Sequence, residues 1–336
     1  MKKNATALAL FSGGLDSILA CRVVAAQGVR VIAVKFVTPF FDYDLLAAEE
    51  AYRRRIRETY GIEVMVRDIT DPYLAMLRDP PHGYGKHFNP CIDCKILMIR
   101  TAKEMLADFG ASCIITGEVI GQRPMSQRKD TLRVIERDSG AESLLLRPLC
   151  VRSQKPTAIE LAGIIDRDRL PDFSGRGRSG QIALAESFGI TSYPNPAGGC
   201  TLTDPNLAVR VRRLYAESPE INRHDLLFLL VGRQFRLPGG GWLVVGRQQE
   251  ENDRVLGLRR PGDILLRLHD RPGPTGLLRH SRHDDDIRLA AALLVRYARK
   301  IAVRLEGEVR LDDGESARII NTAPLTDKLF AGLTVL

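Results

Sequence analysis

Apolar residues in the first part of the chain fall into short blocks separated by runs of helical period. Residues 5–10 form a block that is apolar but for Thr6, Phe11-Ser12-Gly13-Gly14-Leu15-Asp16-Ser17 comes next, and residues 18–26 are apolar at helical spacing. This pattern predicts strand, tight glycine turn, helix. Residues 29–37 are almost all apolar, as expected of a strand covered on both faces. Residues 53–60 read as part of a helix and 62–66 as a third strand. The alternation predicts an α/β fold built on a doubly wound parallel sheet, with the site on loops at the carboxyl ends of its strands.

Further along, residues 79–90 are rich in Pro, Gly and aromatics and read as a loop that delivers Asn89-Pro90-Cys91-Ile92-Asp93-Cys94. An amphipathic helix is expected over 95–109. A short buried strand over 111–115 should then run into Thr116-Gly117-Glu118-Val119-Ile120-Gly121-Gln122. Residues 143–149 read as a strand, and a helix should begin near Pro156. Residues 172–180 are rich in Gly, Arg and Ser and read as a mobile basic loop, with a plain linker as the alternative. A Gly-rich loop over 195–204 carries Cys200, and a helix is expected over 205–215.

Pro238-Gly239-Gly240-Gly241 reads as the boundary to a second unit, giving domains 1–236 and 237–336. Strands are expected there at 242–247 and 264–268, and a turn at 272–276 after them. A helix should run from Asp284 to Arg299-Lys300, with acids at its start and bases at its end as the helix dipole favours. Alternating stretches at 303–311 and 319–323 complete a smaller α+β module.

The glycine turn has the makings of an anion site. Gly13 and Gly14 let the backbone approach a phosphate, and the free N–H groups of the first helical turn point at it. Ser12 and Ser17 add hydroxyls, and Asp16 beside a phosphate makes sense if a Mg²⁺ bridges them. The spacing is neither a Walker A nor G-x-G-x-x-G.

Composition adds an anionic partner. The 336 residues exceed one typical domain and carry a net charge of +8, with Arg commoner than Lys. Such a surplus suits RNA, the bland alternative being an arginine-rich genome. The basic start, Met1-Lys2-Lys3, leads into an apolar run cut short by Ser12-Gly13-Gly14, so no signal peptide is expected. No stretch reaches the length of a membrane span. A cytoplasmic location is therefore the expectation, where six cysteines are metal ligands, catalytic thiols or core residues rather than disulfides.

Cys91 and Cys94 form a C-x-x-C at a loop-to-helix junction, where a helix N-terminus should lower thiol pKa. Cys200 could fold back to the same strand ends. Three thiolates can hold a zinc, or three irons of a [4Fe–4S] cluster with the fourth open. Without metal they could work as persulfides. Cys21, Cys113 and Cys150 lie in apolar contexts and read as core.

Ser12-Gly13-Gly14-Leu15-Asp16-Ser17 resembles the SGGxDS pyrophosphate loop of the PP-loop ATPase superfamily, whose adenine nucleotide α-hydrolase-like fold cleaves ATP between its α- and β-phosphates. Asn89-Pro90-Cys91-x-x-Cys94 resembles the catalytic-cysteine segment of tRNA 2-thiouridine synthetases. Thr116-Gly117-Glu118, Gly121-Gln122 and Ser126-Gln127 are similar to a segment of the 4-thiouridine synthetase (ThiI) family, as is Leu146-Arg147-Pro148-Leu149. The triple Cys91, Cys94, Cys200 matches the cluster ligands of [4Fe–4S]-dependent tRNA thiolases. A second resemblance, to the NFACT-type RNA-binding domain, rests on Val245-Gly246-Arg247, Asn252-Asp253, Pro261-Gly262-Asp263, His269 and Gly273-Pro274. There Arg247, Arg254, Arg259 and Arg267 could meet RNA phosphates.

These resemblances imply ATP-dependent thiolation of a tRNA uridine through an adenylated base, 4-thiouridine favoured over 2-thiouridine. ATP and Mg²⁺ would sit on Ser12, Gly13, Gly14, Asp16, Ser17, Phe36, Thr116, Gly117 and Gln122, the adenine stacking on or meeting backbone groups of the far end of the second strand, at Phe36. Cys94, Cys200 and Asp16 would be catalytic, and Cys91, Cys94 and Cys200 would hold the cluster. Sulfur would come from a cysteine desulfurase or free sulfide, and a homo-oligomer is left open. The family usually places an RNA-binding module before the PP-loop; here RNA positioning should fall to the C-terminal unit. Two other readings stand beside this one: adenylation with an amine nucleophile, which would need no thiolates, and an RNA-binding protein without catalysis.

Overall fold

The computed structural model describes residues 5–195, 200–281, 283–298, 306–331 and 333–335. The contacts within it divide the chain into two compact units, Met1–Asp204 and Pro205–Leu336. The first contains β1 (Thr6–Leu10), α1 (Leu15–Ala25), β2 (Arg30–Val37), α2 (Glu49–Tyr60), β3 (Glu63–Asp68) and α3 (Thr70–Arg78). It continues with α4 (Cys91–Glu104), β4 (Ala111–Thr116), α5 (Lys129–Asp138), β5 (Leu145–Leu146), α6 (Ala158–Leu161) and α7 (Ser179–Ser187).

All strands of this unit are parallel, in the order β3-β2-β1-β4-β5. The order reverses direction between β1 and β4, which opens a crevice at their carboxyl ends. The Ser12–Ser17 turn leaves β1 and the Thr116–Gln122 segment leaves β4 at that crevice. Small residues on β1, Ala7 and Ala9, are fully buried and pack in one core with Ile18, Leu19 and Val24 of α1. The doubly wound sheet expected from the alternation is present.

The second unit contains α8 (Pro205–Glu217), α9 (Arg223–Leu229), β6 (Arg233–Arg236), β7 (Trp242–Val245), α10 (Gln249–Gly257) and β8 (Ile264–Leu268). It ends with β9 (Thr275–Arg279), α11 (Asp284–Tyr297), β10 (Gly307–Asp312), β11 (Ala317–Thr322), α12 (Asp327–Ala331) and β12 (Thr334–Val335). Its strands form one antiparallel sheet, β11-β10-β8-β9-β7-β6-β12. α11 covers the sheet with Ile287, Ala290, Ala291 and Leu294, against Leu243, Leu266 and Leu278. This is the expected α+β module.

The unit starts earlier than residue 237. Pro238-Gly239-Gly240-Gly241 is the turn of the β6–β7 hairpin, with Leu237 N–H donating to Gly241 C=O at 2.8 Å. The buried Asp286 carboxylate ties it down by accepting from Gly239 N–H (2.8 Å) and Gly241 N–H (2.9 Å). Phe228 of α9 meets the Trp242 ring edge-on at 4.8 Å, so α9, which precedes the hairpin, packs against it.

Other elements shifted in ways the packing explains. α4 begins at Cys91, not Lys95, because Cys94 N–H already bonds Pro90 C=O at 2.8 Å. β5 is two residues long, since Arg147 turns inward to ion pairs. Residues 196–199 of the Cys200 loop, the helix end at Arg299-Lys300 and the start of the 303–311 stretch lie outside the described residues. Among the described residues no helix is long and apolar enough to cross a membrane.

Candidate active site

Gly13 takes φ +84°, a conformation that an L side chain rarely adopts, and Gly14 caps α1 with no side chain over its first turn. The turn is braced from within: Gly13 N–H donates to Ser17 Oγ at 3.1 Å and Ser17 O–H donates to Gly14 C=O at 2.8 Å. Gly14 N–H donates to Ser12 Oγ at 3.3 Å. From behind, Lys35 of β2 donates to Ser12 C=O at 2.8 Å and pairs with Asp42 at 2.5 Å. Lys35 is only 5% exposed, so its positive charge sits under the loop rather than in solvent. Sequence reasoning missed it, although a lone lysine in an apolar strand is a signal.

Asp16 faces the crevice. Gln122 donates to its Oδ2 at 2.8 Å, and Arg178 Nη2 lies 3.7 Å from the same oxygen. Its other oxygen, Oδ1, is buried and has no hydrogen-bond partner among the described residues. Burial pushes the Asp16 carboxyl up, against the lowering pull of Arg178, the Gln122 amide and Arg123. A buried carboxylate oxygen with nothing to satisfy it, beside a phosphate loop, fits a Mg²⁺ ligand.

Gly117 lies directly on this turn. A Cβ there would come within 2.6 Å of the backbone C and O of Asp16 and the N of Ser17. The next residue, Glu118, is 2% exposed and accepts from Thr116 O–H and Arg147 Nε, each at 3.1 Å. Lys95 Nζ stands 3.8 Å away. Burial would raise the Glu118 carboxyl, but Lys95 and Arg147 outweigh it and hold it below the usual carboxylate range. Arg147, 1% exposed, also pairs with Glu136 at 2.8 Å. Lys95 follows Cys94, so this network ties the cysteine helix to the segment that abuts Asp16.

Cys91 and Cys94 occupy the first turn of α4, and Cys200 comes back beside them. Its segment is anchored by Thr201 O–H to Phe40 C=O (2.9 Å) and Phe88 N–H to Leu202 C=O (3.3 Å). Tyr73 is 1% exposed between Phe40 and Phe41, within electrostatic reach of the Cys91, Cys94 and Cys200 sulfurs. At Cys94, which is half-buried, desolvation opposes the lowering expected from the helix N-terminus. Burial pushes its thiol up to about 12, with the Cys91 and Cys200 sulfurs adding to the rise, against Lys95 and Tyr73. Desolvation also raises Cys200. The three thiols are near enough to influence one another. Even so, no three His, Cys, Asp or Glu side chains among the described residues stand ready as a closed metal-ligand set. The donor set fits three irons of a cluster or a zinc, whose positive charge would draw off the thiol protons. Cys21, Cys113 and Cys150 are buried in the core as expected.

Phe36 is 5% exposed and packed within the sheet, so adenine at this strand end would meet its backbone groups and not its ring. The basic loop at 172–180 is docked rather than free. Ser174 bridges Ile120, Gly175 N–H donates to Ile120 C=O and Phe173 N–H to Leu149 C=O, both at 2.7 Å. It contributes Arg178 and, just beyond, Gln181, whose amide donates to Gln122 Oε1 at 3.4 Å. Neither residue was legible from the sequence. In the second unit, Asn252 and Asp263 serve structure: Asn252 Oδ1 accepts from Thr275 N–H, and Asp263 holds the buried Arg279. Arg259 is paired with Asp312 and Arg247 with Glu251, while Arg254 and Arg267 are exposed.

His82 clamps the 79–90 loop to α4. Its Nδ1 lies 2.7 Å from Asp93 and its Nε2 3.0 Å from Asp138. The Asp93 hydrogen bond, first, and the charges of both carboxylates raise the imidazole above its usual value against burial. A raised folded pKa stabilises fully below about pH 6.5, the unfolded value, and the contribution is lost as pH climbs through the folded value. His82→Ala is therefore expected to lower Tm more at pH 5.5 than at pH 8.5. Equal losses at the two pH values in a thermal scan would refute the ion-pair account.

Residues 3–169 match the family model described as thiamine biosynthesis protein (ThiI), and residues 232–331 match that of the NFACT protein RNA binding domain. The tRNA sulfurtransferase of Histophilus somni (strain 129Pt) is 27% identical over 173 residues, covering 50% of this chain and 34% of the relative. That of Haemophilus influenzae (strain 86-028NP) is 29% identical over 172 residues, again 50% and 34%. The chain thus spans about a third of the length of these curated relatives. A solved 4-thiouridine synthetase–RNA complex with bound ATP is 22% identical, with a TM-score of 0.35, covering 64% of this chain and 51% of that one.

Proposed function

We propose that this chain, which joins a ThiI-family domain to an NFACT-type RNA-binding domain, is a cytoplasmic ATP-dependent enzyme that thiolates a uridine of tRNA, with 4-thiouridine as the favoured product. One observation carries the reading. The phosphate turn, the Thr116–Gln122 segment and the cysteine turn of α4 meet at one carboxyl edge of the sheet, linked by Gly117 against Asp16 and Lys95 beside Glu118.

ATP would lie with its β- and γ-phosphates on the N–H groups of the Ser12–Ser17 turn, and Asp16 would hold Mg²⁺. The uridine carbonyl oxygen attacks the α-phosphorus, forming one P–O bond and breaking the α–β bridge, so pyrophosphate leaves. Helix N–H donors and Lys35 beneath the loop stabilise the added charge. Sulfur then attacks the base carbon and AMP departs with the former carbonyl oxygen. Cys91, Cys94 and Cys200 would hold a [4Fe–4S] cluster, which would supply Lewis-acid binding of sulfide; zinc or a cysteine persulfide is the alternative. The second unit would recruit the RNA, with Arg254 and Arg267 free for phosphates.

Nucleoside mass spectrometry of tRNA from cells lacking the gene is the test. Loss of one thiolated uridine, restored by the wild-type gene, is expected and identifies the product. Unchanged thionucleosides would discard the reading.

A further inference from the structure

The ion pair between Arg178 and Asp16 is loose. Its N···O distance is 3.7 Å, with the side chains 27% and 18% exposed. A guanidinium has five N–H donors in a planar fork suited to phosphate. Among the described residues Asp16 is the one carboxylate with which Arg178 pairs, so most of that fork is unspent. Its position is nevertheless well determined. Gly175 N–H on Ile120 C=O fixes the loop before it, and Gly180 packs so tightly on Phe173 that a Cβ would stand 2.7 Å from the ring. Arg178 immediately precedes α7, whose Gln181 orients Gln122 on Asp16.

The neighbouring charges make this pairing conditional. Asp16 has one oxygen shared by Gln122 and Arg178, and another, Oδ1, buried and unpartnered among the described residues. A divalent cation arriving with phosphates would satisfy Oδ1 and cancel the pull of Asp16 on the guanidinium. Triphosphate oxygens at the turn would then be the nearest strong acceptors for Arg178. Arg123, exposed and also within electrostatic reach of Asp16, adds to the positive rim.

We propose that Arg178 is a phosphate-binding residue: it neutralises Asp16 in the free protein and transfers to the β- and γ-phosphates when ATP binds with its metal. The proposal rests on the nucleotide reading of this site given above. It also gives the Gly- and Arg-rich segment a role as a docked arm of the nucleotide site.

Calorimetric titration of the full chain with ATP plus Mg²⁺, with pyrophosphate plus Mg²⁺ and with AMP tests this. Arg178→Gln is expected to weaken ATP and pyrophosphate by about ten- to a hundredfold, the range for a lost hydrogen bond to a charged group, and to leave AMP within about twofold. Arg178→Lys, which keeps the charge but loses the fork, should fall between. Arg176→Ala, on the exposed part of the same loop, should bind like wild type. Wild-type pyrophosphate affinity in Arg178→Gln, or an equal loss of AMP binding, would overturn the assignment while leaving the nucleotide site intact. A wild-type chain that binds no ATP would overturn both this assignment and the thiolation reading.

Discussion

Cys200→Ala protein will bind ATP with wild-type affinity and leave tRNA unthiolated. The separation of the two effects comes from the bonds that hold the segment. Thr201 on Phe40, Thr203 on the Cys200 carbonyl at 2.6 Å and Leu202 on Phe88 are all backbone or hydroxyl bonds that do not involve the sulfur. Replacing a half-buried thiol by a methyl group therefore costs little stability, within about 1 kcal/mol. The phosphate turn, braced by Ser17 and Lys35, is untouched. What is lost is the third sulfur beside Cys91 and Cys94. The checks are thionucleoside content after incubation with tRNA, ATP affinity by titration, and iron content after anaerobic purification. Loss of iron together with activity points to a cluster; loss of activity alone points to a persulfide. Full thiolation by Cys200→Ala would remove Cys200 from the mechanism.

Arg147→Met is expected to destabilise the first unit by about 3–5 kcal/mol, because removing one partner of a buried ion pair strands the other's charge. Here Glu118 would keep only the Thr116 hydroxyl and Lys95 at 3.8 Å, and Glu136 would lose its 2.8 Å partner. For a unit of this size the loss corresponds to a fall in Tm of about 6–20 °C. ATP binding should weaken as well, since Glu118 is one peptide from Gly117, and Gly117 fits against Asp16 and Ser17 with no room to spare. Glu118→Gln in the Arg147→Met background should recover part of the stability by removing the stranded charge. The double-mutant cycle measures this directly. A single-variant loss below about 1 kcal/mol would show that the pair is better hydrated than its burial implies.

Much of the fold was readable from local pattern. The apolar run at 29–37 became the second strand of a parallel sheet, and 264–268 is a strand to the residue. Errors arose where partners distant in sequence decide the outcome. The Pro-Gly-Gly-Gly stretch has the composition of a linker, and only the buried Asp286, far along the chain, makes it a hairpin turn. The basic segment at 172–180 has the composition of a mobile loop, and only its bonds to Ile120 and Leu149 make it an arm of the site.

The sequence by itself determined the phosphate turn, because a strand, two glycines and a helix start are all encoded within neighbouring residues. It also determined which residue types could do the chemistry: Asp16, the serines and the three cysteines. Tertiary structure alone decided how those groups are charged and who faces them. Burial opposes the helix N-terminus at Cys94, Lys35 lies beneath the turn, and Arg178 and Gln181 converge on Asp16 and its partner Gln122. The physical reason is that desolvation and Coulomb energies depend on distances through space, which chain order does not record.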